Sequence, residues 1–284
     1  MTNVTRRRRK LSTPTLLALP AVVIVLALCV MPVLRILLLG FSDPAVGLSN
    51  YALLGSSEAL RRIMATTAVM CVATTVITVS LAYVIAYAMV HVTHREVRWM
   101  FFFILLAFWL SVLVRTFAWI IILRSEGPIN QMLMALGIVN QPVQLVRNTF
   151  GVLLGMVHVM LPLAVLPLYS ALNGIDLRLT SAARGLGCGR IRAFLWVFLP
   201  LSAPGLVAAT VLVFVFSLGF FITPAILGGG RVIMIAEYIR TQFEVTLRWG
   251  YAAMLATTLL VTVIAALSIA ARFVNLRRIM GGAH

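Results

Sequence analysis

Long runs of apolar residues, interrupted by short polar stretches, set the pattern along this 284-residue chain. A bilayer core about 30 Å thick needs a helix of roughly 20 apolar residues to cross it, and six runs reach that length. They cover residues 16–39, 64–90, 99–123, 150–172, 201–222 and 251–271. The pattern predicts an all-α integral membrane protein with six transmembrane helices.

The composition supports a single membrane domain. Hydrophobic residues make up 62% of the chain, charged residues only 11%, and the mean hydropathy is +1.07, as is typical of an integral membrane protein. We expect a basic tail at 1–15, a six-helix domain at 16–275 and a second tail at 276–284. A basic tail before an apolar run also opens a secretory signal. The 16–39 run is long and lacks a small-residue cleavage site, so a retained first helix is predicted.

Basic residues are distributed unequally between the two predicted sides of the membrane. The tails 1–15 and 272–284 and the loops 91–98 and 173–200 hold 14 Lys and Arg against two acids, whereas the other side holds seven against five. Because Lys and Arg concentrate in cytoplasmic loops, both termini of this multi-pass chain are predicted to be cytoplasmic. The net charge of +16 is then explained by topology and by contacts with membrane lipids, and no nucleic-acid partner is expected.

The cytoplasmic loop at 173–200 has a pattern that favours docking of a soluble partner. A short helix that Asp176 can cap is expected to run through Ala183 and to end in the glycine-rich stretch 185–189. A second short helix is expected at 190–198, before a Leu-Pro pair that starts span five. Apolar side chains at helical spacing predict one apolar face on it: Ile191, Phe194, Leu195 and Phe198. The alternative is an amphipathic segment lying in the headgroup layer.

Several motifs resemble one protein family over roughly residues 45–275. Within 182–200 the spacing is Ala-Ala, three residues, Gly, nine residues, Val, one residue and Leu-Pro. It resembles the EAA loop of the permeases of bacterial ATP-binding-cassette (ABC) importers, a coupling element that sits in a groove of the cytoplasmic ATPase. Further stretches are similar to the spermidine/putrescine-type branch of that family: 108–119, 127–131, 155–162, 166–172 and 217–229.

The resemblance implies a type I ABC importer permease fold, a cytoplasmic EAA-like coupling loop and a place in the bacterial inner membrane. It also implies three partners: a cytoplasmic ABC ATPase dimer that uses ATP and Mg²⁺, a second homologous permease subunit and a periplasmic substrate-binding protein. The residues implied in ATPase coupling are Ser181, Ala182, Ala183, Gly187, Leu199 and Pro200. Ser181 stands where the family pattern begins with Glu, so coupling is expected to rest on shape and apolar contact.

The sequence indicates that the energy for transport comes from outside the chain. A phosphate-binding P-loop needs Gly-Lys-Ser/Thr, and the sole lysine, Lys10, lies in the basic tail. None of the six predicted spans contains Asp or Glu, which argues against an ion-gradient carrier, the rival hypothesis. His158 could relay protons, but between Met156 and Pro162 it is more typical of a packed, hydrogen-bonded helix contact.

We expect no catalytic, metal or cofactor site in the chain itself. His91 and His94 near Glu96 superficially suggest a metal site, but two histidines in one short basic loop are more typical of a cytoplasmic turn. No other His or Cys has a spacing that completes a tetrahedral set, and the clustered acids or activated nucleophile of an enzyme are missing. The chain is predicted to be a non-enzyme.

Arg115 is the residue most suggestive of a translocation path. A guanidinium inside a span is costly and normally faces a partner, a cavity or the interface. Together with Trp109, Thr116 and Trp119 in the same run, Arg115 is predicted to line part of the path, although the four do not share one stripe of a helix. Snorkelling of Arg115 to the outer headgroups is the alternative.

The sequence therefore predicts the transmembrane permease subunit of an ATP-driven importer of a small polar solute. The resemblance implies a polyamine such as spermidine or putrescine. The spans offer a cation aromatic groups but no acids. An opine or an amino-acid derivative therefore stays open as the solute, and an ion-gradient-driven carrier stays open as the mechanism.

Overall fold

The computed structural model describes residues 13–44 and 46–281, and all regular structure in this part of the chain is helical. Most of the predicted basic tail and the last three residues lie outside it. The α-helices are α1 Thr13–Ser42, α2 Ser49–Ser56, α3 Glu58–Val90, α4 His94–Trp109, α5 Val112–Leu123, α6 Pro128–Ala135, α7 Thr149–Asn173, α8 Arg178–Gly185, α9 Arg190–Ala193, α10 Leu199–Leu218, α11 Ile222–Gly228, α12 Ile235–Glu244 and α13 Trp249–Gly281. A π-helix, Phe194–Phe198, joins α9 to α10.

Five helical segments of the described chain are long and apolar enough to cross a membrane. They are Val23–Ser42 of α1, Glu58–Val90, Thr149–Asn173, Arg190–Leu218 and Trp249–Ile269 of α13. A sixth crossing exists if α4 and the helical segment after it count as one bent span. The predicted class, an all-α membrane protein, is confirmed, and the number of spans is five or six.

The third predicted span, 99–123, is wrong as a single straight helix. Helix α4 ends at Trp109 and α5 begins at Val112. The angle between His94–Trp109 and the segment Val112–Ala135 is 95°. At the break Leu110 has extended backbone, and both Leu110 and Ser111 have a non-helical ψ of 138°. No proline or glycine marks the bend. We attribute it to tertiary contacts, because α4 packs on α7 while α5 packs on both α7 and α11.

The fifth predicted span is wrong at both ends. The predicted short helix at 190–198 and the span after it form one continuous helical segment, Arg190–Leu218, and the predicted end at 222 falls in the separate helix α11. Proline lacks the N–H of a helical hydrogen bond and its ring crowds the preceding turn. The π-helix widens that turn, because the Leu199 N–H bonds to the Phe194 carbonyl oxygen five residues earlier. The helix therefore passes Pro200 without ending.

Helix α7 lies at the centre of the fold and packs against α3, α10, α11 and α5. Asn148 caps its first turn by accepting a hydrogen bond from the Gly151 N–H at 2.8 Å. Around one half of α7 the core contains Ala82, Ala86, Met89, Leu168, Leu172 and Phe198. Around the other half it contains Met70, Cys71, Leu123, Met156, Leu227 and Met234. Helix α13 packs on α1 and α12 at the side of this core.

Candidate functional site

The segment from Asp176 to the π-helix forms two short helices around a glycine turn. The Asp176 carboxylate accepts a hydrogen bond from the Arg178 N–H, the first of α8, at 2.9 Å, although the N-cap residue is Leu177 and not the predicted Asp176. Helix α8 ends at Gly185, and Gly187 has a φ of +90°, a conformation that side-chain-bearing residues rarely adopt. The turn at Gly187 thus requires glycine, whereas Gly185 has an ordinary φ and open space around it.

Large apolar side chains of this segment point away from the protein core. Leu186 is 90% exposed, Ile191 75% and Trp196 74%. Phe198 is buried instead, and its ring lies edge-on to that of Tyr87 at 5.1 Å. The predicted single apolar face is therefore wrong: Phe194 and Phe198 pack inward on α3, while the other two, Ile191 and Leu195, face outward. Widening of the turn by the π-helix changes the helical spacing that the prediction assumed.

The six predicted coupling residues are distributed around this surface. Ser181 and Ala182 are exposed on α8, and the Ser181 hydroxyl donates only to the carbonyl of Leu177 in its own helix, at 3.3 Å. Ala183 and Leu199 are half-buried, and Gly187 and Pro200 are exposed. Ser181 and the turn at Gly187 therefore belong to the outer surface of the segment. Leu199 lies where the segment joins the core.

A small basic pocket of about 270 Å³ lies between the end of α3 and the segment. Arg184, Arg190 and Thr180 line it together with His91, whose Nδ1 is 2.8 Å from the Tyr87 carbonyl oxygen. Across residues 13–44 and 46–281, no group of three His, Cys, Asp or Glu side chains is positioned to hold a metal ion.

Arg115 lies on α5 inside the protein and is only 6% exposed. Its Nε and Nη1 atoms are buried and have no hydrogen-bond partner among the described residues. The alternative in which Arg115 reaches the outer headgroups does not fit this position, because both nitrogens are covered by the chain itself. A buried N–H donor without an acceptor is costly, so the arginine demands a functional or structural explanation.

Two polar pairs tie the neighbourhood of Arg115 to α7 and α11. The Trp119 indole Nε1–H donates to Nδ1 of His158 on α7 at 3.1 Å. The Thr116 hydroxyl lies 3.2 Å from that of Thr223 on α11, and it also donates to the Val112 carbonyl at 2.8 Å. Since a hydroxyl has one proton, Thr223 is the donor in the pair with Thr116.

Gly155 lets α7 and α11 come close enough for these pairs to form. A Cβ atom at Gly155 would lie 2.6 Å from Leu227 Cδ1 and from Thr223 Cγ2. Neither contact is sterically acceptable unless these side chains or α11 itself move. Glycine at 155 therefore sets the distance between the two helices.

Three of the four predicted path residues, Arg115, Thr116 and Trp119, lie together where α5, α7 and α11 meet. Trp109 does not, because the bend leaves it 86% exposed at the end of α4. The hydrogen-bonded contact predicted for His158 is confirmed, but its partner, 39 residues away in sequence, could not be predicted. Thr223 was missed; its position in the 217–229 stretch was the available signal.

The opposite end of the molecule carries α12 after a glycine turn at Gly229 and Gly230, whose φ values are +53° and +79°. Arg240 pairs with Glu244 at 2.8 Å, and its guanidinium lies 5.3 Å from the centre of the Phe221 ring. Glu237 is half-buried on the same helix; burial raises the pKa of its carboxyl, and a backbone hydrogen bond from Met234 opposes that shift. An open groove of about 590 Å³ is lined by residues of α12 and α13 and by Gly219 and Phe221.

No protein-family model matches the chain. Its sequence is 33% identical to the spermidine/putrescine transport system permease protein PotB of Haemophilus influenzae, over 62% of each chain. It is 30% identical to the PotB of Escherichia coli, over 65% of this chain and 66% of that protein. A shorter segment is 45% identical to the E. coli molybdenum transport system permease protein ModB, over 25% of this chain and 31% of that protein. The matches thus span less than two thirds of the length of these relatives.

Solved structures show the same fold over nearly the whole chain. A bacterial ABC transporter involved in the import of the acidic polysaccharide alginate superposes with a TM-score of 0.73, covering 90% of this chain and 94% of that one at 16% identity. The alginate ABC transporter in complex with its alginate pentasaccharide-bound periplasmic protein superposes with a TM-score of 0.78, covering 90% and 91%. The chain therefore has the fold of these ABC importer permeases, and over part of its length its sequence is similar to spermidine/putrescine permeases.

Proposed function

We propose that this chain is the transmembrane permease subunit of an ATP-driven ABC importer in the bacterial inner membrane, with both termini in the cytoplasm. It forms one half of a translocation pore beside a second homologous permease. A periplasmic substrate-binding protein delivers the solute, and a cytoplasmic ATPase dimer uses ATP and Mg²⁺. The chain itself is not an enzyme.

The observation that carries this proposal is the exposed apolar surface of the segment between Asp176 and the π-helix. Leu186, Ile191 and Trp196 are all left uncovered by their own chain, and exposed apolar groups of this size are typical of a binding surface. The sole lysine of the chain lies outside any P-loop pattern, so the energy for transport must come from a partner or from an ion gradient. An ATPase that binds this segment, and closes when it binds ATP, would supply that energy.

The solute is a small polar compound. Two sequence relatives are named for spermidine and putrescine, which makes a polyamine the first candidate. An opine or an amino-acid derivative is the second candidate, because the predicted spans contain no Asp or Glu that could bind an ammonium group. An ion-gradient carrier is disfavoured because all seven acids lie in loops, at helix ends or on α12.

Two glycines of the coupling segment give a matched test of ATPase docking. Gly187→Val forces a β-branched residue into a φ of +90°, which costs about 1–2 kcal/mol locally and distorts the turn. Gly185→Val adds the same side chain at an ordinary φ into open space. We expect Gly187→Val to reduce co-purification of the ATPase and ATP-dependent uptake about tenfold, and Gly185→Val to leave both near the wild-type level.

Equal behaviour of the two variants would contradict docking through this turn. A second measurement addresses the mechanism itself: removal of the ATPase should abolish uptake by cells. Uptake that persists without the ATPase and follows the proton gradient would favour the secondary carrier instead.

A further inference from the structure

Two arginines of the segment from Asp176 to the π-helix share one pocket. Arg184 in the last turn of α8 and Arg190 at the start of α9 both line the pocket of about 270 Å³ beside His91. The same two arginines line a neighbouring recess of about 540 Å³, together with Ser181. No Asp or Glu lines either cavity. Positive charge is therefore concentrated at one point of the segment without a negative group beside it.

The two acids on the predicted cytoplasmic side are engaged within their own turns. The Asp176 carboxylate accepts a hydrogen bond from the Arg178 N–H at 2.9 Å. The Glu96 carboxylate accepts one from the N–H and one from the hydroxyl of Thr93, each at 2.8 Å. Among residues 13–44 and 46–281, neither arginine of the pocket takes part in an ion pair. The described part of the chain therefore supplies no counter-charge for them.

The imidazole of His91 adds a third polar group from a different helix end. Its Nδ1 lies 2.8 Å from the Tyr87 carbonyl oxygen, which can only accept, so Nδ1 carries a proton. Nε2 is then the ring nitrogen that remains for a ligand. It accepts from an acidic O–H when the ring is neutral and donates when the ring is protonated. The end of α3, α8 and α9 thus each contribute one nitrogen-bearing side chain to the pocket.

A phosphate group matches this set better than a carboxylate does. A guanidinium donates from a planar fork of N–H groups, and a carboxylate with its two oxygens matches one such fork. A phosphate group has three strong acceptor oxygens, so it can accept from two forks and bond to an imidazole at the same time. Arg178 and Arg192 of the same segment are also exposed but line neither cavity. The match is therefore specific to Arg184 and Arg190.

We propose that the pocket is a phosphate-binding site, in which Arg184, Arg190 and His91 hold a phosphate group and so tie the segment to the end of α3. Two sources carry that group: the headgroup of an anionic lipid, which basic segments at the cytoplasmic surface attract, and a free phosphate compound. The inference goes beyond the proposed permease function and makes no statement about the transported solute.

Inorganic phosphate is the first probe. The complex of this chain with its partner subunits is purified in detergent, and its melting temperature is measured while sodium phosphate replaces sodium chloride at constant ionic strength. A ligand that binds only the folded state raises the melting temperature, so we expect phosphate to raise it. Arg184→Gln or Arg190→Gln should weaken the apparent affinity for phosphate about tenfold, as expected for the loss of a charged hydrogen bond.

Matched controls separate the pocket from other effects of phosphate. Phosphate also stabilises proteins by its exclusion from their surfaces, and it can bind to the ATPase subunits. Both contributions are the same in Arg178→Gln and Arg192→Gln, which remove an exposed arginine of α8 and of α9 from outside the pocket. These two variants should respond to phosphate as the wild type does.

Ser181→Glu gives a second test that removes no arginine. Ser181 lines the recess beside both arginines, and its hydroxyl donates only to the Leu177 carbonyl oxygen, at 3.3 Å. A glutamate at this position brings a carboxylate next to the guanidinium groups, where it competes with phosphate. We expect Ser181→Glu to weaken the response to phosphate, whereas Ser181→Gln, the uncharged control of the same size, should keep it.

Nanodiscs distinguish the two sources of the phosphate group. Stabilisation that rises with the fraction of phosphatidylglycerol in phosphatidylcholine discs, and that Arg184→Gln and Arg190→Gln weaken, assigns the site to a lipid headgroup. Stabilisation by inorganic phosphate in discs of phosphatidylcholine alone, with the same dependence on the two arginines, assigns it to a soluble phosphate compound. Either outcome supports the site.

Three results would overturn the inference. No response of the wild-type complex to phosphate or to phosphatidylglycerol would show that there is no site, and equal responses of the pocket variants and their controls would show only general screening of a basic surface. Loss of the ATPase from Arg184→Gln or Arg190→Gln, with a wild type that phosphate does not stabilise, would assign the arginines to an acid of that partner. The Gly187 and Gly185 variants test the importer assignment independently, so failure of the phosphate site leaves that assignment standing.

Discussion

Helices α1 and α7 have similar sequence character. Each contains two internal prolines, and the most apolar stretches of the two helices have mean hydropathies of 2.7 and 2.1. Their surroundings are opposite, since 6% of the α1 stretch is buried in the protein and 61% of the α7 stretch. Hydropathy reports only that a helix can lie in a membrane. Whether a helix packs against lipid, against a partner or against its own protein must be decided by other features.

Small and polar residues make that difference. Helix α7 contains Gly151 and Gly155, where α5 and α11 approach, and His158, which accepts a hydrogen bond from α5. Helix α1 presents large aliphatic side chains outward over most of its length and touches α13 near its end, at Gly40. Small residues permit close helix contacts in membranes, where apolar character alone gives no preference for protein over lipid.

The largest expected effect lies in the buried face of α7. Leu168 is fully buried against α3 and α10, whereas Leu166 on the same helix is 40% exposed. Leu168→Ala should lower the free energy of unfolding in detergent micelles by about 3 kcal/mol, from lost burial and the cavity left behind. Leu166→Ala is the control and should change it much less. Similar losses in the two variants would contradict the described orientation of α7.

A smaller loss is expected from overfilling the contact between α7 and α11. Gly155→Val places side-chain atoms against Leu227 and Thr223 and should cost about 2 kcal/mol in the free energy of unfolding, as inserted volume does in packed cores. Gly55→Val serves as the control, because a Cβ at Gly55 in α2 meets no atom within 4 Å. If Gly155→Val has the wild-type free energy of unfolding, the two helices are not packed as closely as the structure shows.

The positions of the spans were predictable because length and apolar character are properties of each segment alone. The bend after Trp109 was not, since it follows from packing on α7 and α11 and no local turn residue announces it. At Pro200 the error was the opposite one. The proline predicted the start of a new helix, but the π-helix before it accommodates the proline ring within one continuous helix. Local sequence signals do not predict the ends and bends of helices where a distant contact or a widened turn determines them.

The candidate site divides in the same way. Arg115 could be singled out because a charge in an apolar run is rare, and the coupling segment because glycines punctuate it. The pairing of Trp119 with His158, and of Thr116 with Thr223 across 107 residues, depends on which faces of three helices meet. That information is not present in any one helix, so these two contacts could not be predicted from sequence.

The smallest expected effect is on α1, and it tests the outward half of the comparison. Leu28 is 70% exposed, so Leu28→Ala removes a side chain that the protein hardly contacts. It should change the free energy of unfolding of the chain by less than about 0.5 kcal/mol, as surface substitutions do, in the same denaturation assay that separates Leu168 from Leu166. A loss comparable to that of Leu168→Ala would mean that α1 belongs to the packed core. An unchanged free energy combined with weaker co-purification of the second permease would instead identify the α1 surface as the one that the other subunit covers. This would explain why so apolar a helix stays outside its own core.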